Sequence, residues 1–326
     1  MKPKAPITAS GIEKSREAEK PILLVALGGN ALIRKGQEGT VEQQFRNLRI
    51  TMRQIARLSR RFRIIITHGN GPQVGNLLRQ QEACADGPPL PLEILVAQTQ
   101  GQIGYMIEST LDSEFMALGL GVEPMLVSLI SYVVVDEKDP AFRIPTKPIG
   151  PVMSGQRARH CGYPVRKTAK GWRRVVVSPR PVTIVEKREI QTLIEMGFIV
   201  ICCGGGGIPV IREGRSFSGV DAVIDKDLAS AKLAEEISVD LFVIATDEAG
   251  VYLDYGTKRQ RLLQTVSVPQ ARAYWEAGQF PPGTMGPKVE AAVQFVAETG
   301  KTTVIAAIDA IEEAVAGKAG TSFTID

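Results

Sequence analysis

Short, almost wholly apolar runs recur along this chain, and most of them close on glycine or a small polar residue. They are Ile22–Leu27 before Gly28-Gly29-Asn30, Ile64–Thr67 before His68-Gly69-Asn70-Gly71, Met125–Ile130, Phe198–Cys203 before Gly204 to Gly207, Leu241–Ala245 before Thr246-Asp247, and Thr303–Ala307. Strands without polar alternation are buried on both faces, the situation of a parallel sheet covered by helices on either side. The intervening segments carry helical spacing. Val41–Ser59 puts Phe45, Leu48, Met52, Ile55 and Leu58 on one side, and Val289–Glu298 does the same with Val289, Ala292, Val293, Val296 and Ala297. The predicted fold is α/β: a three-layer α/β/α sandwich with a mainly parallel central sheet.

Residues 136–182 break the rhythm. They hold seven prolines, a large excess of Lys and Arg over three acids, and no helical stripe. Val175–Val177 and Val182–Val185 read as short β segments. We expect a small protruding β-containing subdomain, a lid serving an anionic ligand, with a solvated loop as the alternative. At 326 residues the chain has room for about two domains or one large α/β unit. The expected division is a mobile tail over 1–20, an N-terminal lobe over 21–185 that includes the lid, and a C-terminal lobe over 186–326.

Composition excludes several classes. With 44% hydrophobic and 23% charged residues the chain is neither disordered nor fibrous, and a net charge of +4 does not by itself suggest nucleic-acid binding. No apolar run reaches the ~18 residues of a membrane span, and residues 1–20 hold no signal-like stretch, so the cytoplasm is the expected address. Cys84, Cys161, Cys202 and Cys203 form no Cys-x-x-Cys pair, and His68 and His160 are the only histidines, which leaves no structural zinc pattern. Cys202 and Cys203 are expected on opposite faces of a strand, as buried thiols in a reducing compartment.

Glycine at the carboxyl end of a parallel strand lets backbone N–H groups approach a phosphate closely. Gly28-Gly29, Gly69 with Gly71, and Gly204–Gly207 occupy such ends. Familiar alternatives fail on spacing. Gly300-Lys301-Thr302 would need glycine at Phe295 to be a P-loop, and G-x-G-x-x-G fails at Val74 and Val210. Two lysines stand where helices are expected to start. Lys226 precedes Leu228–Ile237 with Asp227 as the expected N-cap, and Lys288 follows Pro287, suited to a first helical position. A lysine beside the positive end of a helix dipole is unfavourable by roughly 0.3–1 kcal/mol, while each charge-assisted hydrogen bond to a shared anion contributes about 1.5–3 kcal/mol. A bound phosphate reverses the balance. The pattern points to phosphoryl transfer, which needs positioning and positive charge but no nucleophilic side chain.

Taken together, the motifs resemble those of carbamate kinases, of the amino acid kinase fold. The resemblance rests on Gly28-Gly29-Asn30-Ala31-Leu32, His68 to Gly75, Gln98 to Tyr105, Thr146 to Pro151, Gly204 to Val210, Val223 to Ser230 and Met285 to Glu290, and runs from about residue 21 to the end. It implies reversible phosphoryl transfer between ATP and carbamate, giving ADP and carbamoyl phosphate, in arginine, agmatine or purine breakdown. Mg²⁺ would be carried by the nucleotide rather than by protein side chains, and the enzyme would be a homodimer joined through the helix around Gln98–Leu111, with no nucleic-acid or membrane partner.

The resemblance also implies site residues. Gly28, Gly29, Asn30, Gly69, Asn70 and Gly71, with Gly205, Gly206 and Gly207, would hold the substrate's phosphate and carbamoyl groups. Lys226 and Lys288 would contact the phosphoryl group and Asp227 would orient them. Thr246, Asp247, Tyr252, Met285 and Pro287 would form the nucleoside pocket. Related acyl kinases such as acetylglutamate kinase place a lysine where this chain has Ala26, and Lys147 in the lid would supply the missing cation. Two other readings stay open: another acyl acceptor on the same scaffold, and a nucleic-acid binder using the basic insert.

Overall fold

The computed structural model describes residues 20–83, 87–119, 125–168, 171–281 and 283–326, with the Pro151 side chain excepted. The expected tail, apart from Lys20, and Cys84 lie outside the described residues. The chain begins with β1 (Ile22–Leu27), α1 (Val41–Leu58), β2 (Arg63–His68), α2 (Gly71–Ala83), α3 (Leu92–Leu118), β3 (Leu126–Ser128) and β4 (Tyr132–Val135). A middle part adds β5 (Lys147–Met153), the short α4 (Gly155–His160), β6 (Val165–Thr168), β7 (Gly171–Val176) and β8 (Pro181–Ile184). Next come α5 (Lys187–Glu195), β9 (Ile199–Ile201), β10 (Ile208–Glu213), β11 (Ser216–Gly219), α6 (Lys226–Glu236) and β12 (Leu241–Thr246). The remainder is β13 (Tyr252–Leu253), β14 (Arg261–Leu262), β15 (Thr265–Ser267), α7 (Val268–Glu276), α8 (Met285–Thr299), β16 (Thr302–Ala307), α9 (Ile311–Val315) and β17 (Thr321–Thr324).

Eight strands form one sheet in the order β15-β17-β16-β12-β1-β2-β9-β3. The six from β16 to β3 are parallel, and only the edge pair β17 and β15 runs the other way. All six residues of β1 are buried. Leu23, Val25 and Leu27 enter a core shared with α1, α3 and α9, and Ile22, Leu24 and Ala26 enter a second core under α5, α6 and α8. Side chains alternate across a strand, so a strand apolar at every position requires a helical layer on each side. The expected sandwich is the fold found. A capping box between Thr40 and Gln43 starts α1, satisfying two orphan backbone donors at once.

One expectation is revised. The strand in Phe198–Cys203 stops at Ile201, because Cys203 turns to φ 49° and opens a glycine run with φ of 69°, 93° and 84° at Gly205, Gly206 and Gly207. That turn puts Cys202 and Cys203 in the same core instead of on opposite faces. The expected lobe boundary at residue 185 coincides with no gap in the sheet, since β9, beyond it, fills the slot between β2 and β3.

The basic insert is a folded lobe. Its ends are neighbours, because β4 and β8 pair antiparallel in a four-stranded sheet ordered β11-β10-β4-β8. Its interior is a three-stranded sheet ordered β5-β7-β6 with α4 attached. Val74 and Leu78 of α2 pack with Ile149 and Val176 of the insert, and Glu82 of α2 pairs with Arg157 and Arg174 at 3.1 and 3.3 Å. At the centre of this contact the backbones touch: a Cβ built on Gly75 would lie 1.9 Å from Cα of Gly150. Gly75→Ala should therefore act as an overpacking change and cost about 1–3 kcal/mol. Urea denaturation at 25 °C measures it, and an unmoved midpoint would show that the lid does not bear on α2.

Candidate active site

Ammonium groups from three distant parts of the chain meet at the start of α6. Asp225 is the N-cap: its Oδ1 accepts the N–H of Asp227 at 2.9 Å. The expectation that Asp227 caps this helix is thereby corrected. Asp227 sits inside the first turn, where its carboxylate is free to face other elements. Its Oδ1 accepts from Nζ of Lys226 at 2.5 Å and its Oδ2 from Nζ of Lys288, on α8, at 2.9 Å. Lys147, on the first residue of β5 in the lid, donates to Oδ2 of Asp225 at 2.5 Å. Three cations thus share two carboxylates, a formal excess of 3 − 2 = +1 in a largely buried cluster.

Burial by itself would raise the pKa of Asp227, but the Lys226 and Lys288 ammonium groups outweigh it and hold the carboxyl well below the usual range. Asp225 is lowered in the same way: burial opposes, and Lys147 prevails. Lys226 is pulled down, by burial first and by the neighbouring Lys288 charge, with Asp227 resisting. Lys288 is pushed up, because Asp227, Asp225 and Asp247 together overcome its burial.

The glycine turns lie beside this cluster. A Cβ on Gly69 would stand 3.1 Å from Cδ of Lys226 and 3.5 Å from the backbone N of Gly29, so the turns after β1 and β2 flank the lysine stem. Gly28 donates to the Ala245 carbonyl at 3.1 Å, and Asn30 lies in the short turn Gly29–Ala31. Gly71 opens α2 with clear space where a Cβ would stand. Asn70 is buried, donates from Nδ2 to Thr99 Oγ1 at 2.8 Å, and packs on Gly205, where a Cβ would come within 2.1 Å of its amide. The N–H groups of Gly206 and Gly207 donate inside their own turn to the Cys203 and Gly204 carbonyls. Thr246 ends β12 and donates to Oδ1 of the exposed Asp247 at 3.2 Å. Met285 starts α8, which makes Pro287 its third residue instead of its first, still in the turn where a missing N–H costs no helical bond. Tyr252 lies in β13 with its ring 5.8 Å from that of Tyr255.

An amino acid kinase family model matches residues 21–307. The chain is 45% identical over 311 residues to the carbamate kinase of Pyrococcus horikoshii, covering 93% of this chain and 98% of that protein. It is 46% identical over 308 residues to the carbamate kinase of Pyrococcus furiosus, covering 92% and 98%. The solved carbamate kinase of Giardia lamblia bound to AMP-PNP superposes with a TM-score of 0.85 at 38% identity, over 95% of this chain and all of that one. This chain belongs to the carbamate kinase family.

Within that family pattern Ala26 takes on meaning. It is fully buried in the core beneath α6, so β1 sends no cation toward the cluster, and the third ammonium comes from the lid. Asp225 is the residue that sequence reasoning missed. The available signal was its position one residue before Lys226, where Asp is a favoured cap, but nothing local shows that its second oxygen takes Lys147. Among the described residues no group of three His, Cys, Asp or Glu side chains is placed to hold a metal ion, and no helix is long and apolar enough to cross a membrane.

His68, at the end of β2, is buried against the glycine run, and burial, with Lys226 nearby, drops its pKa to about 4. In the unfolded chain it titrates near ~6.5. Between these values the unfolded state binds the extra proton, so stability falls as the pH drops from ~6.5 to ~4, by about 3 kcal/mol in all. His68→Gln should flatten that limb of the stability–pH profile. An unchanged profile would refute the burial of a neutral imidazole.

Proposed function

We propose that this chain catalyses reversible phosphoryl transfer between ATP and carbamate, giving ADP and carbamoyl phosphate, by electrostatic stabilisation of the transferring group. One observation carries the reading: Lys147, Lys226 and Lys288 converge, from lid, α6 and α8, on Asp225 and Asp227. A site with excess positive charge, backbone amides at strand ends and no general base suits a transfer in which the bond from phosphorus to the carbamate oxygen breaks as the bond to the ADP oxygen forms, and no side chain moves a proton. When the phosphoryl group arrives, its equatorial oxygens take over ammonium hydrogens that the two carboxylates hold in the resting cluster. Asp227 keeps Lys226 and Lys288 charged and aimed.

Gly28, Gly29, Asn30, Gly69, Asn70, Gly71 and Gly205 form the acceptor side of the site in this reading. Thr246, Asp247, Tyr252, Met285 and Pro287 form the nucleotide side, reached through Lys288. Both carboxylates of the cluster are engaged by lysines, a donor set that fits a divalent ion brought on the nucleotide's phosphates. Mg²⁺ so carried would neutralise phosphate charge. The exposed Ile94, Tyr105 and Met116 on α3 give a surface suited to the homodimer, which size-exclusion chromatography with light scattering checks.

The direct test mixes the purified chain with carbamoyl phosphate, ADP and Mg²⁺ and measures ATP; no ATP formation sinks the proposal. Lys147→Ala should lower turnover by well over tenfold with little loss of ADP affinity, and near-normal turnover would remove Lys147 from the mechanism. Asp225→Asn keeps a good helix cap but removes the charge that seats Lys147. It should lower kcat more than tenfold while Tm stays within a few degrees; a collapse in Tm with kcat intact would make Asp225 purely structural.

A further inference from the structure

Phosphoryl transfer leaves the lid's arginines unexplained. Between α2 and the lid, apart from the lysine cluster, lies a cavity of about 250 Å³. Arg79 of α2, Arg157 of α4 and Arg174 of β7 line it, with Glu82 as the one acid. Glu82 holds Arg157 at 3.1 Å and Arg174 at 3.3 Å, while Arg79 has no ion pair among the described residues. The formal excess is 3 − 1 = +2. The Arg174 guanidinium also lies 4.5 Å from the Tyr163 ring centroid, which sets its plane, and its Nε–H is buried with no hydrogen-bond partner. Two arginines lining one cavity, one of them without an ion pair and the other stacked on an aromatic ring, form an arrangement completed by an acidic group. The other wall is apolar, formed by Leu78 and Ile149.

We propose that this cavity binds a small organic dianion with an apolar body, a phosphate monoester or a dicarboxylate, at a site separate from phosphoryl transfer. Arg79 and Arg174 take the charged end, as planar donor forks that match phosphate and carboxylate alike, and the apolar wall takes the body. The site touches the catalytic cluster mechanically. Ile149 and Gly150 line the cavity on the same strand, β5, whose first residue is Lys147. An occupant bridging α2 and β7 holds the lid down and keeps Lys147 in place.

Calorimetric titration with phenyl phosphate, phthalate and inorganic phosphate tests this on the full chain, on a Lys226→Ala variant, which leaves Asp227 paired with Lys288, on Arg79→Gln and on Arg79→Gln/Arg174→Gln. Arg79 is exposed on α2, so its single variant leaves the fold intact even if the double one does not. Phenyl phosphate or phthalate should bind at least tenfold tighter than inorganic phosphate, keep its affinity in the lysine variant, and lose tenfold or more in the arginine variants. The tighter of the two probes assigns phosphate esters or dicarboxylates. Absent binding, binding no better than inorganic phosphate, or binding lost with Lys226 overturns the site. At saturation the bound probe should raise kcat of the full chain and leave that of Arg79→Gln unmoved, and a kcat indifferent to a bound probe overturns the link to Lys147.

Discussion

A buried carboxylate that carries two ammonium groups is the constraint around which the candidate active site is organised. Asp227 is 3% exposed, and a charge so placed survives only when its partners outweigh the desolvation cost. Lys226 and Lys288 meet that condition from the same helix and from α8, which ties the two helices under one face of the sheet to a common electrostatic centre. Removing Asp227 leaves two ammonium groups without their carboxylate, whereas removing either lysine leaves a one-to-one pair. The cluster is therefore both a structural joint and a set of cations preorganised for an anion.

Asp225 extends that joint to the lid. One carboxylate oxygen starts α6 and the other accepts Lys147, so a single side chain joins the helix that supplies Lys226 to the lysine of the insert. The lid in turn is seated by a backbone contact at Gly75 and Gly150 and by Glu82 with its two arginines. An apolar seam and an ionic seam thus join the insert to α2, and the ionic one faces the proposed effector cavity.

Much of this could be read along the chain. The unbroken apolar strands announced a sheet covered on both faces, because a strand has only two sides and both had to be dry. Lys226 and Lys288 were visible as charges at helix starts, and the family resemblance pointed to Lys147 as a cation in place of the one absent at Ala26. The errors fell where a residue had two possible local roles. Asp225 and Asp227 are both acceptable caps, and only the course of the backbone selects Asp225. Cys203 left its strand because the left-handed turn begins at Cys203 itself, one residue before the glycine run.

What the sequence determined alone was everything set by neighbours within a few positions: strand and helix periodicity, the capping box at Thr40, the glycine-rich turns and the family motifs. The tertiary structure alone decided which charges meet. Lys147 reaches Asp225 across 78 residues and Lys288 reaches Asp227 across 61, while Arg174 reaches Glu82 across 92. No local pattern encodes such pairs. An ion pair forms over a few ångströms in space, and only the packing of sheet, helices and lid brings those side chains to that distance.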